Sequence, residues 1–132
     1  LPLLFAEGVL KGRLSLERFV EVTATNPAKV YGLYPQKGAI VVGGDADLVV
    51  WDTEREITVS QKMLHDAMDY TPYEELKTKG WVDLVFSRGE LVVKGGEPLA
   101  KPGRGRYLPH GPSEWSKPLG RSIFPEDISD IF

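Results

Sequence analysis

Side chains that could bind a metal, move a proton or attack a carbonyl are scarce in this chain. It has no Cys and only two His, His65 and His110. A metal centre needs several His, Cys or carboxylate ligands brought together. The one local grouping is His65-Asp66 with Asp69, and neither His has a second His three or four residues away. That grouping reads as a solvated or hydrogen-bonded loop rather than a ligand set, and His110, between Pro109 and Gly111, is weaker still. Asp45 and Asp47 resemble paired acid/base carboxylates. In Gly43-Gly44-Asp45-Ala46-Asp47 before an apolar run, however, turn chemistry is the better reading, with Asp side chains accepting from nearby backbone N–H groups. Ser15, Ser60, Ser87 and Ser113 have no His or Lys positioned as a base, so a nucleophilic triad is unsupported. Gly103-Arg104-Gly105-Arg106 invites a phosphate or RNA reading, but the net charge is -3. A tail anchor, with Arg104 or Arg106 pairing a carboxylate on a packed partner surface, suits it better. Pro72-Tyr73-Glu74 and Trp81 read as packing residues. The expectation is that these 132 residues contain no catalytic, substrate-binding or metal-ligating residue.

The elements that would position such residues fall into three parts. Leu3, Leu4, Val9 and Leu10 recur at roughly helical spacing and predict a helix near residues 2 to 11, ended by Gly12. Ser15 is an N-cap candidate for a second helix with Leu16, Phe19, Val20 and Val22 on its buried stripe. Asn26 with Pro27 predicts the start of a third helix, ended near Gly32, and Pro35 forbids more. Residues 39–42 predict a strand, Gly43-Gly44 a turn, and residues 46–51 a second strand apolar enough to be central in its sheet. Thr53 to Glu56 reads as a turn, residues 57–59 as a short strand, and residues 61–80 as an irregular excursion. Arg88-Gly89 between two β-rich runs, 81–87 and 90–94, is a hairpin signal, closed at Gly95-Gly96. From Pro98 the chain is Pro- and Gly-rich; Tyr107, Trp115, Ile123 and Phe124 predict that it lies against another surface, such as a neighbouring subunit.

With 42% hydrophobic and 27% charged residues the composition is that of an ordinary soluble globular protein. No apolar run approaches the ~20 residues of a membrane span, and the charge balance favours neither nucleic acid nor an anionic membrane. The absence of Cys makes the cytoplasm the default compartment. The chain starts at Leu1, without Met and directly on a helical pattern, which suggests a piece of something longer. The strands are too few to cover a sandwich, and both halves are expected to need partners.

Residues 23–52 carry Thr25-Asn26-Pro27-Ala28-Lys29, then Gly32-Leu33-Tyr34-Pro35-Gln36-Lys37-Gly38-Ala39-Ile40, then Gly44-Asp45-Ala46-Asp47-Leu48-Val49-Val50-Trp51-Asp52. This resembles the C-terminal signature of metal-dependent amidohydrolases. With Asp69-Tyr70-Thr71-Pro72-Tyr73-Glu74 and Gly103-Arg104-Gly105-Arg106-Tyr107-Leu108, it resembles the dihydropyrimidinase/hydantoinase (cyclic amidohydrolase) family in particular, over roughly residues 1–108. Glu75 and His65-Asp66 stand where that family usually has Gly and His-His.

The resemblance implies an α/β architecture with a β-sandwich. Residues 1–35 would be the last helices of a (β/α)₈ barrel, 36–97 the C-terminal strands of the accessory sandwich with the excursion at 61–80, and 98–132 an extended tail. It implies hydrolysis of the ring amide of hydantoins or dihydropyrimidines to N-carbamoyl amino acids. A hydroxide on two divalent ions, usually zinc, would attack the carbonyl. All the family's ligands and substrate-orienting residues precede the position of Leu1, so this segment alone is expected to be inactive and metal-free. The implied partners are the rest of the polypeptide, a small cyclic ureide, and further copies in a tetramer or dimer with the tail at an interface; neither nucleic acid nor membrane is implied. The alternative is a non-catalytic relative acting in assembly or signalling.

Overall fold

The structure, a computed structural model, describes residues 1–111, Ser113 and Trp115. Helix α1, Pro2–Leu4, runs directly into a π-helical stretch, Phe5–Leu10, so the expected first helix is present with a widened second half. Ser15 caps α2, Leu16–Val20, its Oγ accepting from the Arg18 N–H at 3.2 Å.

The expected break before a third helix is absent. Helix α2 passes through a second π-helical stretch, Glu21–Thr25, into α3, Asn26–Val30, as one continuous run. Asn26 is not a cap: its backbone is helical, its side chain makes no cap bond, and its N–H donates five residues back to the Glu21 carbonyl. Pro27 supplies the physical reason. In a helix interior its ring clashes with the carbonyl four residues before and it has no N–H to give. Widening the preceding turn removes both demands without ending the helix.

The β-layer is a four-stranded antiparallel sheet in the order β1-β2-β3-β4, made of β1 Leu48–Thr58, β2 Lys77–Ser87, β3 Glu90–Lys94 and β4 Glu97–Pro98. Four expectations change here. Residues 39–42 form no strand; Ile40 and Val42 stand almost fully exposed and pair with neither edge of the sheet. The strand beginning at Leu48 lies at the edge of the sheet rather than in its centre. The turn expected at 53–56 is a bulge inside one long strand, since Asp52 faces Trp81 and Glu56 faces Lys79. Asp52 Oδ1 takes the N–H groups of Glu54 and Arg55 at 3.0 and 3.1 Å, satisfying donors that the bulge removes from the ladder. Lastly, the excursion is shorter than expected, because residues 77–80 already belong to β2. Its base is closed by Val59 N to Leu76 O and Glu75 N to Val59 O, both 2.9 Å, with Val59 buried. The hairpin stands as expected: Arg88 and Gly89 both have positive φ, 51° and 76°, as its two-residue turn demands.

Helices and sheet meet in an aromatic cluster. Phe5 stacks on Trp51 with ring centroids 4.3 Å apart, and Phe19 meets Phe5 and Trp51 edge-on at 5.4 and 5.9 Å. Phe5 and Phe19 are 3% and 4% exposed, so this joint is the dry centre of the described chain. Gly80 allows the approach: a Cβ there would come within 3.0 Å of Phe5 and Leu10 side chains.

Candidate functional site

The residues singled out for chemistry separate into a structural clasp and scattered loop positions. The clasp is built from the helical run upward. Thr25 Oγ1 donates to the Gly38 carbonyl at 2.8 Å, which lays the following loop against the run. Gly38 has φ +78°, and a Cβ there would sit 2.6 Å from the Ala28 Cβ and 2.8 Å from the Ala24 carbonyl. Only Gly over a small Ala permits that contact. Lys37, one residue earlier, is thereby aimed at both carboxylates of the Asp45/Asp47 pair, reaching Asp45 at 2.8 Å and Asp47 in a closer bond. Asp45 N donates to the Gln36 carbonyl at 2.9 Å, and Asp47 Oδ1 accepts the Arg88 N–H of the β2–β3 turn at 2.8 Å.

The electrostatics agree with a tie rather than a reactive pair. The Lys37 bond holds the Asp45 carboxyl below its ordinary value. Burial would raise the Asp47 carboxyl, but Lys37 and the Arg88 N–H outweigh it and leave it lowered. Burial likewise would lower the Lys37 ammonium, and the two carboxylates raise it instead. An acid/base pair needs one carboxyl pushed up toward neutrality, whereas both of these are pushed down. The arrangement of Asp45 and Asp47 differs from the expected local turn: neither carboxylate accepts a nearby backbone N–H, and the one backbone donor, Arg88 N on Asp47, comes from 41 residues away. The turn expectation also lacked the cation that joins them, and Lys37-Gly38 ahead of Gly-x-Asp-x-Asp was the available signal.

The other candidates do not converge. His65 Nε2 lies 3.1 Å from the Gly96 carbonyl, 31 residues on, and Asp66 Oδ1 accepts the Met68 N–H at 3.2 Å within its own loop. Among the described residues no three His, Cys, Asp or Glu side chains are grouped to hold a metal ion. The two divalent ions implied by the resemblance thus do not fit the described residues. Arg104 anchors the tail, but on its own hairpin: it reaches Glu90 at 3.1 Å, Ser87 Oγ at 3.1 Å and the Ser87 carbonyl at 2.7 Å. Arg106 and His110 are exposed, as are Tyr107 and Trp115; Ile123 and Phe124 lie outside the described residues. Beside the clasp, a groove of about 640 Å³ runs between the helical run and β1, lined by Leu16, Val20, Ala39, Ile40, Leu48 and Val49 among others. No helix among the described residues is long and apolar enough to cross a membrane.

A sheet edge, a two-stage helical run and a charge-locked loop between them form a module, and comparison with known proteins shows where such a module occurs. The profile of the amidohydrolase family matches residues 4–92, and the chain belongs to that family. Its relatives narrow the group to hydantoinases and dihydropyrimidinases. A D-hydantoinase of Ralstonia pickettii is 49% identical over 102 residues, 77% of this chain and 22% of the relative. A D-phenylhydantoinase of Escherichia coli O1:K1 is 43% identical over 112 residues, 85% of this chain and 24% of the relative. The crystal structure of a dihydropyrimidinase from Brevibacillus agri NCHU1002 superposes with a TM-score of 0.80 at 42% identity, covering 85% of this chain and 24% of that one. The chain spans less than a quarter of the length of the relatives it matches.

Proposed function

We propose that this chain is the C-terminal part of a metal-dependent cyclic amidohydrolase that opens the ring amide of hydantoins or dihydropyrimidines, giving N-carbamoyl amino acids. The observation that carries the proposal is 43–49% identity over about a hundred residues to relatives named as hydantoinases. The clasp supports it, since Thr25, Ala28, Lys37, Gly38, Asp45 and Asp47 each have a packing or pairing role that explains their presence without chemistry of their own. In this reading residues 1–35 close a catalytic barrel, 36–97 complete an accessory sandwich, and 98–132 form an assembly tail. The catalytic residues and two divalent ions, zinc by preference, reside in preceding sequence. Partners are the remainder of the same polypeptide and further copies of it, in the cytoplasm.

The test uses the complete polypeptide that carries these residues. With metal bound it is expected to convert a 5-substituted hydantoin or dihydrouracil to the N-carbamoyl amino acid, detected by chromatography. The 132-residue segment alone is expected to bind no zinc and leave both rings intact. A complete polypeptide that assembles, retains no divalent metal and opens neither ring would overturn the catalytic reading in favour of an assembly or signalling relative.

A further inference from the structure

The tail touches the rest of the chain at two separated places. Its first anchor is Arg104 on the β2–β3 hairpin, where the Arg88 guanidinium also donates to the Arg104 carbonyl at 2.5 Å. The second lies at the end of α3. There the Ser113 hydroxyl donates to the Lys29 carbonyl, Trp115 N donates to Ser113 Oγ at 3.1 Å, and the Lys29 ammonium stands 5.0 Å from the Trp115 ring. The same ammonium is 5.2 Å from the Tyr34 ring, so Lys29 is shared between the helix end and the tail. The Gly111 carbonyl sits directly over Gly32, 2.4 Å from where a Cβ would be. The Lys29 carbonyl, which also accepts the Gly32 N–H at 3.2 Å, thus takes a further hydrogen bond from 84 residues away.

We propose that Arg104 at one end and Ser113 with Trp115 at the other form a two-point strap that fastens the end of the helical run to the β2–β3 hairpin, and that these two anchors depend on each other. Nine positions separate Arg104 from Ser113. A flexible segment of that length has a root-mean-square reach of roughly 15–18 Å. Once one anchor is seated, the other is therefore held near its site at an effective concentration on the order of millimolar. Both anchors are small: among the described residues Arg104 holds only Glu90 and Ser87 of the hairpin beside its bond from Arg88, and Trp115 is 59% exposed. Tethering lets two small contacts hold together, and release of either frees both.

Arg106 lies between the anchors and is exposed, which makes tryptic cleavage after it a direct reporter of strap opening. In the complete polypeptide, Ser113→Ala combined with Trp115→Ala is expected to speed cleavage after Arg106 about tenfold. Arg104→Ala, at the far anchor, is expected to do the same, and the triple variant to be little faster than either. Hydrogen exchange at Leu33 and Tyr34, whose amides bond to the Ala28 carbonyl, is expected to rise in the Arg104→Ala protein although those residues are not touched. Unchanged cleavage in both variants, or independent multiplicative effects, would overturn the strap. A wild-type cleavage rate that falls with protein concentration would overturn its intrachain form, assigning the second anchor to another copy.

Discussion

The helical run is fastened to the sheet by two joints of opposite chemistry. Phe5, Phe19 and Trp51 form a joint of ring against ring with its centre dry. Lys37, Asp45, Asp47 and the Arg88 N–H form a joint of charge and hydrogen bond, with the Asp47 side chain 38% exposed. The first gains its strength from area removed from water and is indifferent to pH. The second is partly screened by solvent and contributes direction more than energy: it fixes where the loop after α3 turns and how it meets the hairpin. Stability and orientation are thus assigned to different residues, with Asp47 and Trp51 only four positions apart in the sequence.

The largest expected effect tests that division at its apolar end. Phe19→Ala should cost about 3–5 kcal/mol of unfolding free energy in the complete polypeptide, measured by urea titration, because a nearly fully buried ring leaves a cavity. A loss below ~1 kcal/mol would show that the aromatic joint is not the principal one. Gly38→Ala comes next, at about 2–3 kcal/mol. It combines a positive φ with a Cβ forced against Ala28 and the Ala24 carbonyl, and so strikes the polar joint through its backbone. Asp47→Ala should cost only about 1 kcal/mol, from the lost Lys37 pair and the unmet Arg88 N–H, and the cost should shrink in high salt.

The pH dependence separates the joints most sharply. Asp45 and Asp47 are lowered in the folded chain, so their contribution is complete above the unfolded carboxylate value of about 3.9 and is lost as pH falls through their lower folded values. Lys37 is raised, so its contribution holds below about 10.4 and fades as pH rises through its folded value. The urea midpoint of wild type should therefore fall more steeply below pH ~4 than that of Asp45→Asn with Asp47→Asn, while Phe19→Ala should parallel wild type. At the small end, Lys11→Ala removes an exposed pair with Glu7 and should leave the midpoint unmoved.

What could be read in the chain beforehand follows from how local the determining forces are. The Ser15 cap and the Arg88-Gly89 turn were legible because each is settled within a few residues, whereas the role of Asp45 and Asp47 depends on Lys37 and on the distant Arg88 N–H. The strand expected at 39–42 was not, because apolar alternation states a willingness to pair and cannot supply the partner. Residues 53–56 looked like a turn because Asp, Thr, Glu and Arg are polar, whereas Asp52 turns that polarity into a bulge within a strand. Asn26-Pro27 looked like a helix start because a Pro at a first turn is harmless, and nothing nearby shows that the turn before it can widen instead. The family resemblance rested largely on these capping, turning and pairing residues, which is why it was specific without naming a reaction centre.

The widened turn at Glu21–Thr25 also sets the phase of the helix beyond it. Phe19 and Ala28 are nine positions apart, which in an unbroken α-helix is 2.5 turns at 3.6 residues each, placing them on roughly opposite sides. Absorbing one residue in the wide turn brings their separation to about 2.2 turns. Phe19 can then face the sheet while Ala28 lies beneath Gly38 on an adjoining flank. The stretch acts as a built-in one-residue insertion: deleting one residue there would leave Phe19 and Ala28 eight positions apart, again about 2.2 turns, and the clasp would keep its seat on an ordinary α-helix, whereas inserting one more would rotate it by about a quarter turn.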